Sequence, residues 1–201
     1  MLELAILGLL KERPMHGYEL KKRLSFMLGH FWTVSYGSLY PALKRLDKAN
    51  DIEKAYSIKE KTRNRNVYRI TGVGEREFMR LLADTSGAST LADSEKFDIR
   101  MAFFQYLEPE TRLKLLEKRR KLLEDQVAKF KAYRSSNRNQ DRYQSGLLRH
   151  NVEQTKSDIR WLERLITQER EAIEKRDSEA ERPRERSTKA EQGQITAASG
   201  A

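Results

Sequence analysis

The sequence predicts a mainly α-helical protein made of an N-terminal winged helix-turn-helix, with a small two-stranded β wing, and a C-terminal helical, coiled-coil-like dimerisation domain. Three observations carry this prediction: leucines at helical spacing in the N-terminal part, a β-prone and cation-rich stretch after them, and apolar residues at steps of three and four along two later segments. The predicted domains are the winged helix at 1–85, a linker at 86–94, the helical domain at 95–176 and a disordered tail at 177–201.

The composition limits the classes of partner. The chain has 201 residues with a formal net charge of +10, and residues 1–82 hold 16 Lys and Arg against 9 Asp and Glu. The excess charge therefore lies mainly in the N-terminal part, where a polyanion is the natural partner. The chain has no cysteine, and its apolar run Leu4–Leu10 is far shorter than the roughly 20 residues that span a bilayer. These features predict a cytoplasmic protein without disulfides.

The first helix is predicted at residues 2–12, which are apolar on nearly all sides. A segment of this kind must find a cover, and a helix from a second subunit is a plausible one. Leu4 and Leu7 are therefore predicted dimerisation contacts. Pro14 and Gly17 mark a turn, and a second amphipathic helix is predicted from Tyr18 to about Leu28.

The third helix is predicted from Tyr36 to Asn50 and completes a helix-turn-helix. Leu39, Leu43 and Leu46 form its apolar stripe, and Ser35 precedes it as a side-chain cap. Its basic outer face and the hydroxyls of its first turn suit a helix in the DNA major groove. An ordinary amphipathic surface helix remains the alternative reading of this segment taken alone.

A long basic hairpin is predicted directly after the third helix. Ile52–Ile58 and Val67–Ile70 are β-prone, and the stretch 53–69 holds six Lys and Arg against two Glu. Such a wing should lie along the DNA backbone or in the minor groove. Asn50 tolerates the left-handed conformation at the end of the third helix. Thr71 is a predicted cap for a fourth helix that runs to about Ala83.

The C-terminal half is predicted to contain three helices, at 95–107, from Pro109 to about Tyr133 and at 142–175. The two long helices should form an antiparallel hairpin, and the last is on the order of 50 Å long, which favours a partner subunit. Its predicted dimerisation contacts, together with Phe104 of the shorter helix, are Leu148, Val152, Ile159, Leu162 and Ile166. From Asp177 the chain lacks large apolar groups and is predicted to be disordered.

Four motifs carry a resemblance to a known family: LAILGLL at 4–10, PMHGYEL at 14–20, YGSLYPALKRL at 36–46 and VYRIT at 67–71. In these motifs the chain resembles the PadR-type transcriptional regulators of bacteria, and the half from about 95 to 175 is similar to the C-terminal domain of the longer members. Asn50 stands where family members usually carry glycine. The resemblance implies a winged-helix dimer that represses promoters by binding a palindromic operator. It also implies that some members release DNA on binding small aromatic or drug-like molecules.

The candidate DNA contacts combine the residue chemistry with this resemblance. Hydroxyls can donate to phosphate oxygens, tyrosine can also reach base edges, and cations on a hairpin beside a recognition helix favour a polyanion. His16 and Tyr18 match the family's second helix, which borders the DNA backbone. The predicted contacts are His16, Tyr18, Ser35, Tyr36, Ser38, Tyr40 and Lys44 on the helices, with Lys61, Arg63 and Arg65 on the wing. Alternatively, one tyrosine packs inward, Lys44 belongs to a plain solvated face, and His16 packs in its loop.

Phe97, Met101 and Trp161 are candidates for an effector pocket, although dimer core is the more common role for aromatic residues at helical spacing. Three scattered histidines make no metal site, no catalytic triad or phosphate-cradling glycine motif is present, and no cofactor is predicted. The sequence therefore predicts no enzyme. A coiled-coil adaptor, whose N-terminal domain binds a protein partner, is the alternative to a DNA-binding homodimer.

Overall fold

The computed structural model describes residues 1–27, 34–59, 64–84, 86, 91–136 and 141–198, and for residues 58, 59, 64, 65 and 180–198 it describes the backbone alone. The predicted fold class is confirmed, because the chain is mainly helical with one small antiparallel sheet. The chain divides into two compact units, Met1–Glu108 and Pro109–Ala201. No helix within the described ranges is long and apolar enough to cross a membrane.

The first unit holds five helices and three strands among its described residues. In chain order they are α1 (Leu2–Glu12), β1 (Met15–His16), α2 (Gly17–Met27), α3 (Tyr36–Lys48), β2 (Ile52–Lys59), β3 (Asn64–Ile70), α4 (Gly72–Ala83) and α5 (Ser94–Met101), followed by a 3-10 turn at Phe104–Tyr106. The sheet order is β1-β3-β2, and both pairs are antiparallel. The two-residue β1 was not predicted, because so short a strand has no periodic pattern.

The helix α1 forms the centre of this unit. Every residue from Leu4 to Leu10 is buried, and α1 packs against α2, α3, α4, α5 and β3 of its own chain. A Cβ atom on Gly8 would lie 2.4 Å from the ring of Phe103, so the missing side chain is what admits this ring. The expectation that α1 needs a cover from a second subunit is therefore not supported, since Leu4 and Leu7 are covered within one chain.

The segment from α5 to the 3-10 turn belongs to the first unit, whereas the sequence assigns it to the helical domain. The Phe103 ring meets the Phe78 ring edge-on at 5.8 Å, and Phe104 meets Phe97 in the same way at 6.1 Å. Arg100 is 2% exposed and donates hydrogen bonds to the carbonyl oxygens of Leu81 and Asp84, at the end of α4. Phe104 is thus covered by its own unit, which removes the reason for predicting it as a dimer contact.

The base of the wing is fixed by close backbone contacts. Asn50 has φ 61°, which confirms the predicted left-handed residue after α3. The Thr71 hydroxyl donates to the carbonyl oxygen of Asn50 at 2.6 Å and accepts from the N–H of Gly74, the predicted cap of α4. A Cβ atom on Gly74 would lie 1.9 Å from the carbonyl oxygen of Asp51, so only glycine fits where α4 crosses the start of β2. These contacts hold the wing at a fixed angle to α4.

The second unit is an antiparallel pair of helices, α6 (Pro109–Ser136) and α7 (Arg142–Ala198). Residues at steps of three and four along α7 form a seam whose side chains are all buried or partly buried. They are Leu148, Val152, Thr155, Ile159, Leu162, Ile166, Glu169 and Ile173. Leu116, Leu123 and Val127 of α6 are buried. Because the two helices of one chain share this seam, its burial does not require a second subunit.

The helix α7 continues to Ala198, whereas the composition predicts a disordered tail from residue 177. The added stretch 177–198 contains four Glu, four Ala and three Arg, which have high helix propensity, and the helix continues through Pro183 and Gly193.

Candidate nucleic-acid interface

The exposed face of α3 is the centre of the candidate interface. Leu39, Ala42, Leu43 and Leu46 are buried on the opposite face, as the leucine stripe predicts. The described side chains left exposed include Tyr36, Ser38, Tyr40 and Lys44. Both tyrosines therefore point outward, with Tyr36 39% and Tyr40 52% exposed, which excludes the inward-packed alternative for either ring.

The first turn of α3 is closed by its own hydroxyls. The Ser35 side chain accepts a hydrogen bond from the Ser38 N–H at 3.1 Å, which confirms the predicted cap. The Ser38 hydroxyl donates to the Ser35 carbonyl oxygen at 3.0 Å, and the two hydroxyl oxygens are 3.2 Å apart. Both residues are exposed. This turn presents hydroxyls and free helix N–H groups, a combination that suits phosphate oxygens.

The two tyrosines lie beside a cation of α2, Lys21, which is not among the predicted DNA contacts. The Tyr36 and Tyr40 rings are stacked, with centroids 6.0 Å apart and planes inclined by 24°. The Lys21 ammonium of α2 lies 4.0 Å from the centroid of the Tyr36 ring, a cation–π contact. Lys21, Tyr36 and Tyr40 thus form one row of cation and rings across the two helices. We call this row the tyrosine row.

Gly17 allows the row to lie close to the start of α2. A Cβ atom at Gly17 would be 3.3 Å from the Tyr40 ring, tighter than ordinary van der Waals contact. No sequence signal links Gly17 or Lys21 to α3, because the contact is tertiary and eight residues separate the two helices in the sequence. Only the folded arrangement reveals both residues as part of the interface.

His16 and Tyr18 lie at the start of α2. His16 belongs to β1, and its Nδ1 accepts the backbone N–H of Glu19 at 3.1 Å, so one ring nitrogen caps α2. The Tyr18 ring is 56% exposed, and its centroid lies 6.3 Å from that of His16. The structural role of His16 is therefore plain, and its contact with DNA stays a prediction, as does that of Tyr18.

The predicted wing contacts fall at or beyond the limits of the described residues. The wing strands β2 and β3 pair from Ile52 with Ile70 to Lys59 with Asn64, with an irregularity between Lys54 and Tyr56. Lys61 and Arg63 lie outside the described residues, and Arg65 is described only by its backbone in β3, opposite Ile58. Their contacts remain predictions.

The charges around α3 are partly neutralised. Arg45 donates to the Glu3 carboxylate at 2.9 Å, and Arg69 of β3 donates to Glu53 at 2.6 Å. Within the described part of the chain, Lys44 and Lys48 of α3 have no carboxylate at ion-pair distance, so their charges are available to an anion. Asp51 lies buried behind the wing, and its burial raises the pKa of the carboxyl group, with smaller contributions from the negative charges of Glu77 and Glu3.

The residues proposed for an effector pocket are not brought together within either unit. Phe97 is 2% exposed and fills the core of the first unit, to which Met101 also belongs, whereas Trp161 lies on α7 of the second unit. The described residues contain no group of His, Asp and Glu arranged to hold a metal ion.

Comparisons with known proteins agree on the class of this chain. Residues 6–80 match the family model described as the transcriptional regulator PadR-like family, and residues 95–170 match the virulence activator alpha C-terminal model. The chain is 31% identical to the negative transcriptional regulator PadR of Bacillus subtilis over 77 residues, which is 38% of this chain and 42% of that protein. It is 30% identical to a probable transcriptional regulator of Mycobacterium tuberculosis over 101 residues, which is 47% of this chain and 53% of that protein. The matched part thus spans about half the length of these curated relatives.

Solved structures are similar as well. The structure of Bacillus subtilis PadR in complex with operator DNA is 21% identical to this chain, covers 84% of it and is itself covered over 98%, with a TM-score of 0.41.

Proposed function

Because this chain belongs to the PadR-like family of transcriptional regulators, we propose that it binds operator DNA as a homodimer and represses transcription. The tyrosine row and the hydroxyl-bearing first turn of α3 are the observation that carries the proposal. In a two-fold dimer the two α3 helices would enter successive major grooves of an inverted repeat, about 34 Å apart. The curated relative from Bacillus subtilis is named a negative regulator, which supports repression.

Each part of the interface has a proposed task. Ser35 and Ser38 approach phosphate, Tyr36 and Tyr40 approach base edges, and Lys44 contacts the backbone one turn further along α3. His16 and Tyr18 border the backbone from the start of α2. On the wing, Lys61, Arg63 and Arg65 would follow the backbone or enter the minor groove.

The experiment is a footprint on the DNA upstream of the chain's own reading frame, followed by affinity measurements on the protected duplex. Tyr40→Ala should reduce affinity for that duplex and lower its preference over scrambled DNA, since a base contact carries the sequence information. Lys44→Gln should weaken binding to both duplexes and reduce the salt slope of log K by about one.

Lys156→Gln is the matched control, because it removes the same charge from α7, where Lys156 pairs with Glu153 at 2.8 Å. Equal affinity of the wild-type chain for operator and scrambled duplex would contradict the proposal. It would favour the alternative, a coiled-coil adaptor whose first unit binds a protein, and that alternative also predicts affinity insensitive to salt.

The support for a homodimer comes from the outer face of α7. Trp161 is 36% exposed and Leu165 is half-buried one turn later, beside the seam that α6 already covers. Trp161→Arg should shift the sedimentation-equilibrium mass toward the monomer and leave the helix content unchanged. If Trp161→Arg dimerises with the same affinity as the wild-type chain, the outer face of α7 is not the dimer interface.

We also propose that a small aromatic ligand releases the protein from DNA. A groove of about 630 Å³ supports the proposal; it lies between α6 and α7 and is lined by Lys129, Phe130, Tyr133, Gln144, Leu147, Leu148 and Asn151. Its aromatic and aliphatic side chains suit a ring, and its lysine and amides suit a polar substituent. The ligand would act by changing the spacing of the two α3 helices.

Phenol and benzoate are suitable probes, with release of labelled operator duplex as the measurement. Leu147→Gln should abolish release, because Leu147 is 62% exposed in the groove and can be changed without disturbing the core. Met101→Gln is the comparison, because Met101 belongs to the pocket predicted from the sequence and lies outside the proposed dimer face. Release that depends on Met101 and not on Leu147 would place the ligand site in that predicted pocket.

A further inference from the structure

Four exposed cations lie on the ends of α6 and α7 that adjoin the turn of the helical hairpin. Lys131 and Arg134 lie near the end of α6, and Arg142 and Arg149 lie at the start of α7. All four side chains are exposed. We refer to these four residues as the tip cluster.

The nearby carboxylate does not neutralise the cluster. Asp141 directly precedes α7, and its Oδ1 accepts the backbone N–H groups of Tyr143 at 2.7 Å and Gln144 at 3.0 Å. Its negative charge is therefore placed on the helix N-terminus, where the helix dipole favours it. Among the described residues, none of the four cations of the tip cluster has a carboxylate within ion-pair distance.

The opposite end of the same hairpin is built differently. There Arg112 donates to Glu169 at 2.9 Å, Arg170 donates to Glu117 at 2.6 Å, and Arg176 pairs with Glu110. These pairs join α6 to α7 and use the cations within the chain. In the part of the hairpin that the structure describes, cross-helix ion pairs therefore lie at this end, whereas the tip cluster forms none.

The spacing and the neighbours of the tip cluster suit a nucleic-acid backbone. Arg142 and Arg149 are two helical turns apart on one face of α7, about 10 Å along the axis. Tyr133 and Tyr143 are 55% and 84% exposed beside them, and tyrosine hydroxyls also donate to phosphate oxygens.

We propose that the tip cluster is a second DNA-binding surface, which contacts phosphates without reading sequence. It rests on the proposed function in one respect, namely that DNA is the partner of this chain. The tip cluster would add affinity for duplex that extends beyond the two half-sites held by the α3 helices. It assigns a DNA contact to the helical unit, in addition to the proposed dimer face and the proposed ligand groove.

The test compares the full-length chain with a variant that carries Lys131→Gln, Arg134→Gln, Arg142→Gln and Arg149→Gln. Binding is measured over a series of salt concentrations to a long duplex and to a short duplex that covers only the footprint. On the long duplex the slope of log K against log salt should fall by about 3 to 4, because each lost phosphate contact contributes about 0.9. Affinity for the short duplex, and its preference over scrambled DNA, should be unchanged.

A matched variant controls for the loss of charge. Lys114→Gln, Lys121→Gln, Arg164→Gln and Lys175→Gln remove four exposed cations from the same two helices, away from the tip. This variant should bind the long duplex with the wild-type slope. Circular dichroism checks that both variants retain their helices, and the double variant Arg142→Gln, Arg149→Gln should show about half of the effect.

Three results would overturn the proposal: an unchanged slope in the tip variant, an equal loss in the matched variant, or an equal loss of binding to phosphatidylglycerol vesicles or polyglutamate. The last result would mean a general attraction to anions. The proposed function fails separately. The wild-type chain could show no preference for the footprint duplex while the tip variant still loses affinity for the long duplex. That result would contradict sequence-specific operator binding and would still support the tip cluster as a DNA-binding surface.

Discussion

The helices α1 and α7 have contrasting surroundings, although the sequence predicts a partner subunit for both. Five elements of the same chain cover α1, and every residue from Leu4 to Leu10 is buried. Of the described side chains of α7, only Thr155, Leu162 and Ile166 are buried. The helix α1, which is apolar on nearly all sides, is enclosed by its own unit. The amphipathic helix α7 keeps an exposed face that a second subunit could cover.

The contrast shows that a hydrophobic pattern predicts how much of a helix surface is buried. It does not predict whether the burying residues belong to the same chain or to a second subunit. The cover of α1 comes from the neighbouring α2 and from α3, α4, α5 and β3, which are distant in the sequence. The cover of α7 comes from α6, and it leaves Trp161 36% exposed. The proposed subunit contact therefore lies on the outer face of α7 and not on α1.

The largest effect is expected in the seam of the hairpin. Leu162 is 1% exposed, so Leu162→Ala should lower the free energy of unfolding by about 2 to 5 kcal/mol, through lost burial and the cavity left behind. In dilute protein, Trp161→Ala should lower the free energy of unfolding by less than Leu162→Ala, because the Trp161 side chain is more exposed to water. Denaturant unfolding of both variants at several protein concentrations measures the difference.

An equally large loss for both variants, growing with protein concentration, would mean that a second copy covers Trp161. That result would remove the contrast between the two helices while supporting the homodimer. Equal losses independent of concentration would mean that the outer face of α7 is covered within the chain.

The next largest effect is expected in the first unit, at the contact between α4 and the base of the wing. Gly74→Ala would place its Cβ 1.9 Å from the carbonyl oxygen of Asp51, a backbone atom that cannot rotate away. Overpacking of this kind costs about 1 to 3 kcal/mol. Thermal unfolding should show a lower Tm, and the shifted wing should weaken operator binding.

Gly72→Ala in the same helix is the matched control. The nearest atom to a Cβ at Gly72 is the far end of the Arg76 side chain at 3.9 Å, so this variant should keep the wild-type Tm. If Gly74→Ala also kept the wild-type Tm, the contact between α4 and the start of β2 would be less tightly packed than the structure indicates.

Much of the fold follows from periodicity and local chemistry. The stripe Leu39, Leu43, Leu46 fixes the buried face of α3, Ser35 and Thr71 cap the helices they precede, and Asn50 takes the left-handed conformation. Each of these features depends on residues that are near one another in the sequence. The domain boundary was harder to place, because Phe103 enters the first unit through a contact with Gly8 that lies far away in the sequence.

The candidate interface divides in the same way. The exposed hydroxyls and rings of α3 follow from its amphipathic pattern, since burial of the leucines leaves Tyr36, Ser38 and Tyr40 outward. Lys21 and Gly17 could not be found from the sequence, because their contacts with the rings arise only when α2 packs on α3. The tip cluster is visible in the sequence as separate cations, but their lack of partners is a property of the folded hairpin.

The smallest effect is expected from pH, and it belongs to the interlocked first unit. Burial, and then the charges of Glu77 and Glu3, raise the pKa of Asp51 above its ordinary value of 3.8. The folded state therefore binds the Asp51 proton more tightly than the unfolded state, and the contribution of this group to stability declines as pH rises from 3.8 through the raised pKa. Asp51→Asn removes the titration and keeps the backbone carbonyl that accepts from the N–H of Thr71. Relative to this variant, the wild-type chain should be most stable in acid and should lose that advantage toward neutral pH, as measured by urea unfolding at a series of pH values.

Asp47→Asn on α3 is the control, because it removes the same charge from a less buried position. A matching trend in that variant would assign the effect to net charge and not to burial of Asp51.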